Sequence, residues 1–137
     1  MKRRKAREFA LQLLFQLDFT GRPYDEKKIF DEFWSDKNKQ SDVKDFAVEL
    51  VQGTLQNLDK IDAMIEKVAE NWILKRIAAV DRNILRFSAY EILYREDIPS
   101  AVTINEALEI AKKYSSIEAA AFLNGILDRL AKEAGKV

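Results

Sequence analysis

Ile77-Ala-Ala-Val-Asp-Arg-Asn-Ile-Leu-Arg-Phe-Ser-Ala-Tyr-Glu-Ile-Leu-Tyr94 leaves little room for a polar face. On a helical wheel Val80, Ile84, Leu85, Phe87, Ala89, Tyr90, Ile92, Leu93 and Tyr94 run nearly all the way round. A helix apolar on nearly every side belongs at the centre of a protein, covered by others. Asp81, Arg82 and Arg86 interrupt it, and charges on such a helix must be paired internally or face a partner.

The flanking sequence supplies the covering helices. From Ala6, the residues Phe9, Ala10, Leu13, Leu14 and Leu17 keep the helical period. Thr20-Gly-Arg-Pro23 ends that helix, and Asp25 can cap a short second one with Ile29, Phe30, Phe33 and Trp34 on one stripe. Ser35 to Ser41 reads as a loop. A third helix opens near Ser41 or Asp42 and runs along Val43, Phe46, Ala47, Leu50, Val51 and Leu55. Asn57 or Asp59 restarts a fourth, whose stripe is Ile61, Met64, Ile65, Val68, Ala69 and Trp72. After a turn holding Pro99, Thr103-Ile-Asn-Glu106 reads as a capping box opening helix six, and Ser115-Ser-Ile-Glu118 as the same box opening helix seven. Gly125 in the middle of helix seven predicts another backbone packed close to it. With no alternating strand pattern, the fold class is all-α, about seven helices, forming one domain over residues 1–137.

Composition narrows the function. The chain has no Cys and no His, so disulfides, thiolate nucleophiles, zinc ribbons and imidazole general bases are excluded. Four glycines form no phosphate loop, and no metal or cofactor is expected. Apolar residues come in short runs between charges, which predicts a cytoplasmic protein with no membrane span.

Charge is distributed unevenly. The formal net charge is zero, yet Lys2, Arg3, Arg4, Lys5 and Arg7 stand together without an acidic residue before Glu8. Removing those five from 23 Lys and Arg leaves 18 against 23 Asp and Glu. Such asymmetry points to a polyanion, while a solvated tail explains it equally on charge alone. On the wheel, Arg4, Glu8, Leu11 and Phe15 lie opposite the apolar stripe of helix one, with Arg7 on the flank. Cations followed by an aromatic suit phosphates and splayed bases of single-stranded RNA; alternatively Phe15 packs on the second helix. Lys112, Lys113, Tyr114, Ser115, Ser116, Glu118 and Phe122 form a second candidate surface, the alternative being ordinary capping beside a half-buried ring.

Four segments carry a family resemblance: Lys5-Ala-Arg-Glu-Phe-Ala-Leu-Gln12, Val80-Asp-Arg-Asn-Ile-Leu-Arg-Phe-Ser-Ala-Tyr-Glu91, Pro99 followed by Ile104-Asn-Glu-Ala107, and Phe122-Leu-Asn-Gly-Ile-Leu-Asp128. In this order and spacing they resemble the NusB family of transcription antitermination factors across nearly the whole chain. The resemblance implies two packed helical bundles without catalysis. It implies a heterodimer with the tenth small-subunit ribosomal protein (NusE), binding of single-stranded boxA RNA in nascent ribosomal transcripts, and action within the RNA polymerase antitermination complex. It assigns RNA contacts to Lys2, Arg3, Arg4, Lys5, Arg7, Phe15, Tyr114, Glu118 and Phe122, and contacts with the ribosomal protein to Asp81 and Arg82. The free state stays open between monomer and a homodimer that would hide helix one. Family members often carry Tyr where this chain has Phe15, which removes a phenolic hydrogen bond and keeps stacking. Ala119-Ala-Ala121 stands where polar or basic residues are common, which weakens the second RNA surface. Two other readings are the RNA-binding appendage of a ribosomal RNA cytosine methyltransferase, against which stand the missing cofactor loop and Cys, and a helical protein-interaction module without RNA.

Overall fold

The computed structural model describes residues 2–21, 23–37, 41–70 and 72–136. Met1, Arg22 of the expected turn, Asn38 to Gln40 of the expected loop, Asn71 and Val137 lie outside them. Seven α-helices follow one another: α1 (Lys2–Thr20), α2 (Glu26–Ser35), α3 (Ser41–Gln56), α4 (Leu58–Ala69), α5 (Ala79–Tyr94), α6 (Ser100–Tyr114) and α7 (Ile117–Glu133), with a 3₁₀ turn at Leu74–Arg76. Among the described residues there is no strand.

The helix read as central is central. α5 packs against α1 and α3 on one side and against α4, α6 and α7 on the other, joining a bundle of α1 to α3 with a bundle of α4 to α7. Ile84, Leu85, Phe87, Ala89 and Ile92 are fully buried, and one continuous core runs through both bundles. α2 is held by its aromatics: Phe9 of α1 meets Phe33 and Trp34 edge-on, with centroids 6.2 and 5.5 Å away. Asp25 caps α2 by accepting from the Lys28 backbone N–H at 3.1 Å.

Several local expectations are corrected. α6 opens at Ser100 behind Pro99, so Thr103 and Glu106 are interior residues of the helix and not a capping box. Pro at the cap position supplies the extended backbone that starts the helix, which frees both side chains for other partners. The cap of α7 is Ser116, which accepts from the Ala119 N–H at 2.9 Å, one residue later than expected. α4 stops at Ala69, where Glu70 takes a positive φ of 52°, so Trp72 falls outside the helix whose stripe it was expected to extend. Asn57 does stand at the N-cap position of α4, as expected, but its side chain donates back to the Gly53 carbonyl at 2.8 Å and makes no capping bond.

The close approach expected at Gly125 is found instead at Gly53 of α3. Among the described residues, a side chain at Gly125 would meet only the Arg129 guanidinium, at 3.8 Å, and no backbone of another element packs close there. A methyl at Gly53 would collide with the Tyr90 ring of α5, and this is the close approach that needs a glycine.

Candidate nucleic-acid interface

The basic run is the first part of α1 and no loose tail. No acidic residue occupies the first turn, so five cations crowd a helix end whose dipole disfavours them. Acidic side chains from other helices make that arrangement tolerable. Arg4 is bidentate on Glu106 of α6, with Nε to Oε1 at 2.9 Å and Nη2 to Oε2 at 2.7 Å. Arg7 is bidentate on Glu91 of α5, with Nε to Oε2 at 2.7 Å and Nη2 to Oε1 at 2.9 Å. Thr103 Oγ1 donates to the same Glu91 at 2.7 Å. Arg7 Nη1 lies 3.8 Å from Glu106, so the two pairs form one network across α1, α5 and α6.

That network corrects the wheel. Arg7 is only 2% exposed and Glu8 and Leu11 are also buried, although all three were expected on the outside or the flank of α1. α1 is packed on several sides, by α3, α5 and α6, so its apolar stripe is not the whole of its buried surface. Glu8 Oε1 accepts from Lys113 Nζ at 2.9 Å and Tyr114 Oη at 2.8 Å. Burial opposes ionisation of Glu8, but those two hydrogen bonds outweigh it and hold the carboxyl below its ordinary value. The hydrogen bond from Arg4 does the same for Glu106, against a smaller opposing effect of burial. The Lys113 ammonium is correspondingly raised by its bond to Glu8.

Three cations of the run remain outward. Lys2 makes one exposed ion pair with Asp42 at 3.1 Å, a contact of small energetic weight. Arg3 lies over the Phe46 ring with its guanidinium carbon 4.6 Å from the centroid, and Lys5 lies 5.1 Å from the centroid of Phe9. Further along α1, Phe15 is 39% exposed, and Phe19 one turn later is 85% exposed. Phe19 escaped the sequence reading, although its i+4 spacing from Phe15 was visible.

At the α6–α7 junction, Tyr114 is half-buried and bound to Glu8, Glu118 is exposed in the first turn of α7, and Phe122 is half-buried. Phe122 meets Trp72 edge-on with centroids 5.1 Å apart. The structure thus ties Tyr114 to α1 through Glu8 and pairs Phe122 with an aromatic that sequence reasoning had placed in a core stripe.

The two residues expected to meet a protein partner differ. Arg82 is committed within the chain: Nε donates to Asp18 Oδ2 at 2.9 Å, and Nη1 donates to the carbonyls of Ile77 at 2.8 Å and Lys75 at 3.3 Å. Asn83 donates to the same Asp18 oxygen at 3.0 Å. Burial works against the Asp18 carboxylate, and the hydrogen bonds from Arg82 and Asn83 prevail, holding its pKa low. Arg86 is bidentate on Asp62 of α4 at 2.9 and 3.0 Å. Asp81 sits in the first turn of α5, and its buried Oδ1 has no hydrogen-bond partner among the described residues. No group of three or more His, Cys, Asp or Glu side chains converges on a metal position among the described residues, and no described helix is long and apolar enough to cross a membrane.

Fold and surface together define an all-helical, two-bundle protein with lysines, one arginine and aromatics turned outward along its first helix. The model of the NusB family matches residues 4–132. The transcription antitermination protein NusB of Thermodesulfovibrio yellowstonii is 51% identical over 97% of this chain and 93% of its own length, and that of Desulfitobacterium hafniense is 50% identical over 99% and 92%. Thermotoga maritima NusB superposes with a TM-score of 0.83 at 41% identity, covering 96% of this chain and 91% of that one. A crystal structure of antitermination factors NusB and NusE in complex with double-stranded RNA matches with a TM-score of 0.85 at 27% identity, covering 96% and 97%. The chain belongs to the NusB family.

Proposed function

We propose that this protein is a non-catalytic antitermination factor of the cytoplasm that binds single-stranded boxA RNA of ribosomal transcripts with the tenth small-subunit ribosomal protein, NusE, within the RNA polymerase antitermination complex. The observation that carries this reading is the group of exposed cations opening α1, Lys2, Arg3 and Lys5, with Phe15 exposed further along the same helix, in a chain whose relatives include a NusB solved with NusE and double-stranded RNA. Lys2, Arg3 and Lys5 supply phosphate contacts, Phe15 and Phe122 stack bases, and Tyr114 and Glu118 border the same surface and offer hydrogen bonds. Arg4 and Arg7 act through position: their pairs with Glu106 and Glu91 anchor α1 so that its outward residues stand in a fixed order. Toward the ribosomal protein, the first turn of α5 with Asp81 and Arg82 forms the contact, and Arg82 also holds that end of α5 on α1 through Asp18.

The test is an anisotropy titration of labelled boxA RNA and a scrambled RNA, with and without NusE, at two salt concentrations. Three phosphate contacts to a single strand give a log–log salt slope of about −2. Arg3→Ala and Lys5→Ala each make it shallower by about 0.7 and weaken all RNAs alike. Equal affinity for the scrambled RNA in the presence of NusE refutes the boxA reading.

A further inference from the structure

Trp72 has no place in the core, yet it is held firmly. It follows the turn at Glu70, the one described non-glycine residue with positive φ, which directs the chain away from the α4 axis. Downstream the segment is fastened at three points: Glu66 accepts from the Leu74 N–H at 2.8 Å, and Arg82 Nη1 donates to the carbonyls of Lys75 and Ile77. Arg129 of α7 donates to the Val68 carbonyl at 2.8 Å, closing the end of α4 next to it. Within this frame the indole is 51% exposed and braced edge-on by Phe122, and Ile73 beside it is also exposed.

A large aromatic kept outward on a fastened segment is a preformed stacking face, because its ordering cost has been met before any ligand arrives. The charges nearby suit a phosphate backbone. Lys75 and Arg76, three and four residues on, are exposed, and neither has an ion pair among the described residues. The same Arg82 guanidinium that holds this segment also holds Asp18, which lies between Phe15 and Phe19 on α1, so the two aromatic surfaces are tied to one end of α5.

We propose that Trp72, braced by Phe122, stacks a base of the bound single strand and carries the RNA surface beyond Phe122 toward Lys75 and Arg76. This rests on the RNA-binding reading above. It adds a contact of the sequence-tolerant type, since every base has a face to stack.

The chain has two tryptophans, and Trp34 is buried at 8% exposure, so indole accessibility reports mainly on Trp72. The full chain is titrated with a short boxA-containing single-stranded RNA while dye anisotropy on the RNA reports binding and indole fluorescence with acrylamide quenching reports Trp72. The expected result is loss of indole emission and protection from acrylamide that track the anisotropy curve. Trp72→Ala then abolishes the fluorescence change and lowers affinity about 5- to 150-fold, while Trp72→Phe retains most of it. Saturating anisotropy with unchanged indole emission and accessibility overturns the Trp72 contact and leaves RNA binding standing. Absence of any anisotropy change at low salt overturns RNA binding and this inference with it. Protection of Trp72 by NusE alone, undisturbed by RNA, overturns it in favour of a protein contact.

Discussion

Replacing Arg7 by Ala separates a structural cation from an RNA-binding one. The Arg7 and Glu91 side chains are 3% and 0% exposed and share two hydrogen bonds, and Thr103 donates to the same carboxylate. Removing the guanidinium leaves Glu91 charged and buried with one hydroxyl for a partner, and breaking a buried pair from one side costs about 3 to 5 kcal/mol. With an unfolding entropy of about 2.1 cal/mol/K per residue, a chain of this length loses about 10 to 17 °C in Tm. Thermal melts by circular dichroism read this directly, and the companion Arg3→Ala variant should shift by no more than about 3 °C because its side chain is exposed. The triple variant Arg7→Met, Glu91→Leu, Thr103→Val removes the buried pair and its hydroxyl together, leaves Arg4 on Glu106, and should regain most of the loss, since well-packed apolar replacements of buried pairs are often neutral. A Tm for Arg7→Ala within about 3 °C of the parent, combined with a tenfold loss of RNA affinity, would refute the internal role and return Arg7 to the RNA surface.

Phe15→Ala should lower boxA affinity by about 1 to 3 kcal/mol with little change in Tm, and unchanged binding would place the ring outside the RNA site. Glu106 and Glu8 have folded pKa values held below the ordinary 4.5, so their stabilisation is complete above that value and disappears as pH falls through the lower folded values. Stability followed by urea titration should therefore decline on acidification below about pH 5, and Glu106→Gln should reduce that decline. Asp62 runs the other way: burial raises it despite Arg86, so its contribution is fully present below 3.8 and is lost as pH rises through its higher folded value. Gly53→Ala forces the Tyr90 ring aside and should cost about 1 to 3 kcal/mol, whereas Gly125→Ala has room and should gain about 0.4 to 1 kcal/mol. Equal effects of the two substitutions in a denaturant series would contradict the packing described.

The candidate site was legible where it depends on composition and local period. Phe15 reads as off the apolar stripe because a wheel computes that from spacing alone, and its exposure agrees. The same wheel sent Arg7, Glu8 and Leu11 outward, since a wheel has one inside and α1 has neighbours on several sides. Thr103 and Glu106 matched a capping pattern that any surface helix could use, while their actual partners, Glu91 and Arg4, lie 12 and 102 positions away. Trp72 fits the α4 stripe by period and leaves it because the chain turns at Glu70, a backbone conformation that no residue type at that position announces.

By itself, the sequence determined the all-helical class, the central place of α5, the absence of cysteine and histidine chemistry, and the order of motifs that marks the NusB family. These follow from residue type and from periods of three and four, which act over a turn or two of chain. Tertiary structure alone decided which cations of the opening run face outward. Arg4 and Arg7 are held by carboxylates of α6 and α5, and Lys2, Arg3 and Lys5 are left outward. The physical reason is that a guanidinium near a buried carboxylate is stabilised by a partner distant in sequence, and only the packing of α1 against α5 and α6 brings the two within 3 Å.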